Sequence, residues 1–156
     1  MRQNMREQPD PNVRPNPGRL SAKESQEVLD IMMDYFTKET GSKKEAEKYV
    51  ISVANLIKNP AAKLVHLGNF VFLTLVKEPG VVEFHTMARN ASASDMAKKL
   101  IELTDYLKRL GARKIYSYAT DPKYKTVTKK SRLPWIITEQ QGADGKTYQV
   151  YTLEIA

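Results

Sequence analysis

Three consecutive β-rich segments between residues 63 and 87 constrain the fold of this chain more than any other feature. They read KLVHL, FVFLTLVK and VVEFHTM, and the turns GN at residues 68–69 and EPG at residues 78–80 separate them. Short glycine-containing turns between such segments are typical of antiparallel strands. We therefore predict a β-meander over residues 61–88, whose apolar side chains need helices to cover them.

The segment before the meander predicts a pair of helices over residues 20–59. Each helix opens with a capping-box pattern, SAKE at residues 21–24 and SKKE at residues 42–45. Apolar residues follow each box at helical spacing. The dipeptide NP at residues 59–60 is expected to end the second helix.

Residues 89–156 predict a helix, a strand, a short helix and a C-terminal hairpin. The helix is expected from Ser94 to Leu110, with Leu110 closing its buried stripe. The strand RKIYSYAT, the basic stretch KYKTVTKKSRL and two β-rich segments around the turn GADGK complete the chain. Together these elements predict an α/β (α+β) fold, in which one domain over residues 20–156 contains a mixed, mostly antiparallel sheet flanked by helices.

Residues 1–19 differ in composition from the rest of the chain. Prolines at this density oppose helices and sheet ladders and favour an extended chain. One interpretation is a disordered tail, and the other is an extended Pro-rich arm that contacts another protein subunit. The residues expected to make such contacts are Arg2, Arg6, Pro9, Pro11, Arg14, Pro15 and Pro17.

The formal net charge of +7 favours anionic partners, which include nucleic acid, phosphates and acidic protein surfaces. A basic patch after the fourth predicted strand carries no acidic residue. It is either a solvated helix face or a contact surface for DNA or an acidic subunit. The patch consists of Lys123, Lys125, Lys129, Lys130 and Arg132.

Cysteine is absent, which excludes disulfides and thiolate chemistry. His66 and His85 are too few and too isolated to propose a metal site. The longest apolar run, FVFLTLV, is too short to cross a bilayer, and the N-terminus has no apolar signal region. We therefore expect a soluble protein without membrane contact.

The stretch ARNASASDM, residues 88–96, lies between a predicted strand and a predicted helix. Backbone N–H groups at such a helix N-terminus point outward and can bind phosphate oxygens. Loops that do this usually contain glycine, which permits positive φ and close approach of the backbone. Here the loop contains serines, and Asp95 adds a negative charge to the first turn of the helix.

The order of elements resembles the GNAT superfamily of N-acetyltransferases. The resemblance covers the topology of residues 20–156 and, at the residue level, is concentrated in residues 81–153. It implies a V-shaped opening between the strands VVEFHTM and KIYSYAT, where acetyl-CoA enters in that family. The phrase YATDPKY and the terminal hairpin with its Asp-Gly turn also fit.

The phosphate loop departs from the family pattern, Arg/Gln-x-x-Gly-x-Gly/Ala. Arg89 occupies the first position, whereas Ser92 and Ser94 stand where the glycines are expected. Because Asp95 would also repel a diphosphate, we predict a degenerate loop and no cofactor, with acetyl-CoA only under the enzymatic alternative. The residues of this loop are Arg89, Asn90, Ala91, Ser92, Ala93 and Ser94.

The resemblance also implies catalytic positions. The family's tyrosine acid aligns with Lys130, while Tyr124 on the same stretch comes too early to match. Glu83 and His85 are two residues apart, so they share one face of their strand and form a candidate acid–base pair. The alternative for these two residues is a solvent-facing position or a structural ion pair.

These departures favour a non-catalytic reading, closest to the GNAT-like virion proteins of tailed bacteriophages. We predict a structural protein of a head, connector or internal assembly, docked through its arm and basic surface. Its location is then the virion, or the host cytoplasm before assembly. The alternatives are an acetyl-CoA-dependent N-acetyltransferase and a nucleic-acid-binding accessory protein.

Overall fold

The computed structural model describes residues 22–155, so the expected arm over residues 1–19 lies outside the described part of the chain. The four helices are α1 (Ala22–Thr40), α2 (Lys43–Leu56), α3 (Ala93–Arg109) and α4 (Lys123–Ser131). The six strands are β1 (Ala62–Leu67), β2 (Phe70–Glu78), β3 (Val81–Ala88), β4 (Lys114–Ala119), β5 (Ile136–Gln141) and β6 (Thr147–Glu154). The elements follow one another in the predicted order.

The strands form one six-stranded sheet in the order β1-β2-β3-β4-β6-β5. Strands β1, β2 and β3 are an antiparallel meander, and β5 and β6 are an antiparallel hairpin. Only β3 and β4, of the neighbouring pairs in this sheet, run parallel, because α3 carries the chain back to the end at which β3 began. The predicted mixed, mostly antiparallel sheet flanked by helices is confirmed.

Each face of the sheet is covered by a different pair of helices. Helices α3 and α4 pack against alternate residues of the central strands, such as Val82, Phe84 and Ile115. Helices α1 and α2 cover the other face through a second cluster that includes Ile31, Val71 and Met87. Since neighbouring residues of a strand point to opposite faces, Glu83 and His85 lie on the α1–α2 side.

The helix ends follow local capping chemistry. The side chain of Ser42 accepts a hydrogen bond from the backbone N–H of Glu45 at 3.2 Å, as predicted for α2. The corresponding Ser21 lies outside the described residues. Leu110 was expected to be buried, but it is 58% exposed because α3 ends at Arg109 and Leu110 is its C-cap.

Strands β3 and β4 stay paired over only three residues each. Val81, Val82 and Glu83 face residues 114–116, and β4 then continues along β6 as far as Ala119. Beyond Glu83 the two parallel strands separate, which opens the sheet toward their C-terminal ends. None of the helices within residues 22–155 is long and apolar enough to cross a membrane.

Candidate active site

The separation of β3 and β4 leaves a cleft of about 660 Å³ between them. One end of the cleft lies at the loop before α3, and the other reaches the α1–α2 side of the sheet. Helix α1, both strands, the start of α4 and the beginning of β6 contribute to its walls. Among its lining residues are Tyr35, His85, Thr86, Asn90, Ala91, Ser117, Tyr118, Tyr124 and Tyr148.

The loop at the mouth of this cleft takes its left-handed turn at Asn90, where φ is 50°. Asparagine tolerates this conformation better than most residues. Ser92, which stands where a glycine was expected, has φ −83° and needs no special backbone freedom. The serine residues therefore do not strain the loop. Arg89 is turned away toward α1, where it donates a hydrogen bond to Asp34 at 3.1 Å.

The first turn of α3 closes a reciprocal capping box. The Asp95 N–H donates to Ser92 Oγ at 3.1 Å, and the Ser92 N–H donates to an Asp95 carboxylate oxygen at 3.2 Å. The hydrogen bond from Ser92 is the largest cause that lowers the pKa of Asp95. The N–H groups of Ala93 and Ser94 have no partner among the described residues, so these two amides remain available to an anion.

A basic groove of about 620 Å³ runs between α3 and α4 and begins at Ser94. Lys130 lines this groove and does not line the cleft between β3 and β4. Lys123 faces that cleft instead, and Lys125 lies beside Trp135 in another depression. The predicted basic patch thus extends over the cleft, the groove and a depression that adjoins the groove at Lys129. The cationic residues of the groove are Lys98, Lys129, Lys130 and Arg132.

Tyr124 lies in the first turn of α4 and lines the cleft. Its ring packs 5.6 Å from that of Tyr151. Burial raises the pKa of Tyr124 above its ordinary value of 10.0, so the phenol stays protonated at neutral pH. Alignment with the family pattern did not predict this residue, because it placed the tyrosine position at Lys130. The signal that identifies it is the Asp121-Pro122 turn, which starts α4 at the end of β4 and so brings its first turn to the cleft.

Glu83 and His85 meet on the α1–α2 side of the sheet. His85 Nε2 lies 2.6 Å from Glu83 Oε2, and the Tyr116 hydroxyl donates to Glu83 Oε1 at 3.2 Å. Lys77 Nζ is 4.0 Å from the same carboxylate. The Glu83 side chain is only 12% exposed, whereas that of His85 is 42% exposed and faces the cleft. This pair was predicted from sequence spacing alone.

Three buried hydroxyls in or beneath the cleft, those of Thr86, Ser117 and Tyr151, have no hydrogen-bond partner among residues 22–155. Ser117 and Tyr151 face each other across β4 and β6. Buried polar groups are nearly always hydrogen-bonded, so the unpaired hydroxyls that line the cleft are available to an ordered water or a ligand. No group of three or more His, Asp or Glu residues in the described range could hold a metal ion.

Comparison with solved structures identifies the architecture. An acetyltransferase from Salmonella typhimurium, which modifies the N-terminal serine of a 50S ribosomal subunit protein, is 18% identical with a TM-score of 0.62, over 92% of this chain and 94% of its own. The GNAT-family acetyltransferase of Streptococcus pneumoniae is 12% identical with a TM-score of 0.58, over 92% and 98%. The chain has the GNAT fold.

A third GNAT structure carries the ligand. The Campylobacter jejuni N-acetyltransferase PseH in complex with acetyl coenzyme A is 13% identical with a TM-score of 0.57, over 92% of this chain and 99% of its own. No protein-family model matches the chain, and no curated protein does. At these identities the likeness establishes the GNAT fold, and the activity is argued from the site.

The prediction of a non-catalytic virion protein is contradicted by these comparisons. The similar GNAT structures are acetyltransferases, which favours the enzymatic alternative, and they do not show the likeness to bacteriophage proteins. The prediction placed too much weight on the loop sequence. It took the missing glycines as a sign of lost binding, although the positive φ falls on Asn90.

The prediction that no cofactor is used is also contradicted, because a similar GNAT structure contains acetyl coenzyme A. The physical argument behind it was repulsion of a diphosphate by Asp95. That carboxylate is held by the Ser92 N–H, and Lys98 and Lys99 lie close enough to lower its pKa. The amides of Ala93 and Ser94 and the neighbouring lysines therefore leave the start of α3 suited to an anion.

Proposed function

We propose that this protein is an N-acetyltransferase that uses acetyl-CoA as the donor and a primary amine as the acceptor. The observation that carries the proposal is the cleft between β3 and β4. It joins the loop that leads into α3, the half-buried Tyr124 on α4 and His85 of the carboxylate–imidazole pair on β3. An acetyl group and an amine that enter from opposite sides of the sheet would meet within it.

The residues suited to hold acetyl-CoA lie at the start of α3 and in the groove and the cleft beside it. The amides of Ala93 and Ser94 would bind the diphosphate, and the groove between α3 and α4 offers four cationic side chains to the remaining phosphate. The unpaired Ser117 hydroxyl would give a polar contact inside the cleft. When bound, acetyl-CoA supplies an acetyl thioester, whose transfer to an amine forms a C–N bond, breaks a C–S bond and moves one proton from nitrogen to sulfur.

His85 is placed to take the proton from the amine. If its Nε2–H donates to Glu83, its Nδ1 is left as an acceptor. Glu83 then orients the ring, and the Tyr116 hydroxyl holds Glu83 in place. These are roles for His85 as general base and for Glu83 as a positioning residue.

Tyr124 is placed to give a proton to the leaving sulfur. Its side chain lines the cleft, and the raised pKa keeps the phenol protonated at neutral pH. Bulk water would restore that proton through the open end of the cleft.

The proposal is tested by titration calorimetry with acetyl-CoA. Wild-type protein is expected to bind with a Kd in the micromolar range, and Ala91→Glu is expected to abolish binding because it puts a carboxylate where the cleft meets the loop. Ala54→Glu is the matched control, since Ala54 is exposed on α2 far from the cleft in sequence and on another element. Its binding should equal that of the wild type.

Two results would count against the proposal. The first is the absence of acetyl-CoA binding by the folded wild-type chain. The second is equal binding by wild type, Ala91→Glu and Ala54→Glu, which would place the ligand elsewhere.

A further inference from the structure

A second cavity opens beside the cleft, at the tip of the β5–β6 hairpin. We call it the hairpin cavity; its volume is about 630 Å³, and its lining includes His85, Tyr118, Gln140, Gly142, Asp144 and Tyr148. His85, Tyr118 and Tyr148 also line the cleft. A ligand that reaches His85 from the α1–α2 side of the sheet therefore passes over, or extends into, the hairpin cavity.

The wall of the hairpin cavity is built by specific contacts. The Tyr148 hydroxyl donates to Asp144 Oδ2 at 2.6 Å, and the Lys146 N–H donates to Asp144 Oδ1 at 3.0 Å. The loop closes so tightly on the Tyr148 ring that a Cβ at Gly142 would lie 2.6 Å from ring atom Cε1. These contacts hold one carboxylate beside one aromatic ring in a defined arrangement.

The chemistry of the hairpin cavity contrasts with that of the whole chain. The protein carries a net charge of +7, yet the charged residue that lines this cavity is Asp144, and the nearest cation is Lys146 of the same turn. The hydrogen bond from Tyr148 lowers the pKa of Asp144, so the carboxylate is ionised at neutral pH. In the adjoining cleft, Glu39 and Asp121 offset Lys38 and Lys123.

Aromatic rings complete the surroundings. Tyr118 is 37% exposed at the shared edge of the two cavities, and its ring meets that of Tyr116 edge-on at 5.7 Å. Tyrosine faces attract cations, and a nearby carboxylate adds to this attraction. An ammonium group thus finds an aromatic face, a carboxylate and the amide oxygens of Gln140 and Gln141 within one cavity.

We propose that the acceptor is a small alkylamine with a second ammonium group, which the hairpin cavity binds while the reacting amine lies at His85. This inference rests on the proposed function for its reacting end, whereas the binding of the second ammonium depends on the residues of the hairpin cavity, chiefly Asp144, Tyr118 and Tyr148. A monoamine of the same length would reach His85 but leave the hairpin cavity unused.

The test is calorimetric titration of the full chain with 1,4-diaminobutane and with butylamine, without acetyl-CoA. The diamine is expected to bind about fivefold more tightly, because one exposed ion pair with an aromatic contact contributes a binding free energy that corresponds to about this ratio. Asp144→Asn and Tyr118→Leu should remove this preference, whereas Tyr118→Phe should keep it. Asp105→Asn, an exposed residue on α3, is the matched control and should behave as wild type.

Equal affinity for the two amines, or a diamine preference that survives in Asp144→Asn, would overturn the inference. Failure of the proposed function is recognised separately, through the acetyl-CoA titration. A chain that binds acetyl-CoA but does not distinguish the amines refutes the acceptor class alone. A chain that distinguishes the amines but does not bind acetyl-CoA refutes the transferase and leaves a diamine-binding site.

Discussion

At the residue scale, the site depends on a few side chains that local structure places without strain. Asn90 adopts the left-handed conformation that a glycine would otherwise supply, so the loop reaches α3 with side chains at every position. The Asp95 carboxylate accepts a hydrogen bond from the Ser92 N–H and leaves the amides of Ala93 and Ser94 free. A loop without glycines is therefore compatible with an anion-binding helix start.

Tyr124 provides the sharpest residue-scale prediction. Tyr124→Phe keeps the ring that packs against Tyr151 but removes the proton donor. Under the proposed function, kcat for acetyl transfer should fall about 100-fold, within the range of general acid catalysis. Acetyl-CoA affinity should stay within about twofold of wild type, because no tight binding contact is lost. Release of free thiol measures the first quantity and calorimetry the second.

The pH profile supplies the control for that experiment. Burial raises the pKa of Tyr124, so its protonated form persists to pH values above 10.0, the ordinary value. Because the pKa of Tyr124 is raised, deprotonation of this residue should not reduce the rate of the wild-type protein between pH 7 and about pH 10. A wild-type rate that fell on the alkaline side well below that pH, and did not do so in Tyr124→Phe, would contradict the assignment.

At the element scale, short-range patterns predicted the helices and strands well. The Ser42 cap of α2, the turns between β1, β2 and β3, and the Asp144-Gly145 hairpin all act within four residues and are found where the patterns placed them. Of the capping box predicted at residues 42–45, only the Ser42 half is present, since the Glu45 side chain pairs with Lys48. Leu110 is a further exception, because helical spacing continued past the residue at which α3 stops. Termination depends on the following Gly111 and on packing, not on periodicity.

The start of α3 allows an element-scale prediction of stability. Ser92→Ala removes the N-cap acceptor and should lower the free energy of unfolding by about 1 kcal/mol, or the Tm by about 2–4 °C. Ser94→Ala is the matched control, since Ser94 is exposed and caps nothing. Thermal unfolding followed by circular dichroism separates the two variants. Equal Tm values for both would show that the cap does not stabilise the helix.

The partner carboxylate gives the pH dependence of the same cap. The pKa of Asp95 is lowered in the folded protein, so its stabilising contribution is present above 3.8, the ordinary value, and disappears as the pH falls through the lower folded value. Every pH from about 5 to 7 lies about one unit or more above that ordinary pKa, so the Tm difference between wild type and Asp95→Ala should be constant over this interval. In strong acid the difference should vanish, because the carboxyl group is then protonated.

At the scale of the whole molecule, the parallel pair of strands in the centre of the sheet organises the site. The three-residue contact between β3 and β4 joins the meander to the hairpin half, and the gap beyond it forms the cleft. Helix α4 and α1 meet the cleft from opposite faces of the sheet, which is why Tyr124 and Tyr35 both line it. Burial raises the pKa of Tyr35 to about 12.

Ligand binding should stabilise the whole domain by mass action. At 100 times its Kd, acetyl-CoA is expected to add about 2.7 kcal/mol to the free energy of unfolding. For a chain of this size the Tm should then rise by about 5–10 °C. Differential scanning fluorimetry with wild type, Ala91→Glu and Ala54→Glu checks this. A rise in Ala91→Glu equal to that of the wild type would contradict binding at the α3 start.

Contact of the arm over residues 1–19 with another subunit stays a prediction, and so does contact of the basic patch with DNA. Within the patch, Lys125, Lys129, Lys130 and Arg132 line two adjoining depressions that share Lys129, whereas Lys123 lines the cleft. Contact of the basic patch with DNA would be supported by a DNA affinity that falls steeply as the salt concentration rises.

The sequence by itself determined the order of the elements, many of the caps and turns that bound them, and the placement of Glu83 and His85 on one face of their strand. These features depend on residues within a few positions of one another, where backbone and side-chain preferences decide. Only the tertiary structure decided where β3 and β4 separate, that Asn90 supplies the left-handed turn, and that Tyr124 rather than Lys130 faces the cleft. These outcomes follow from the packing of segments distant in sequence, which side-chain periodicity along one segment does not encode.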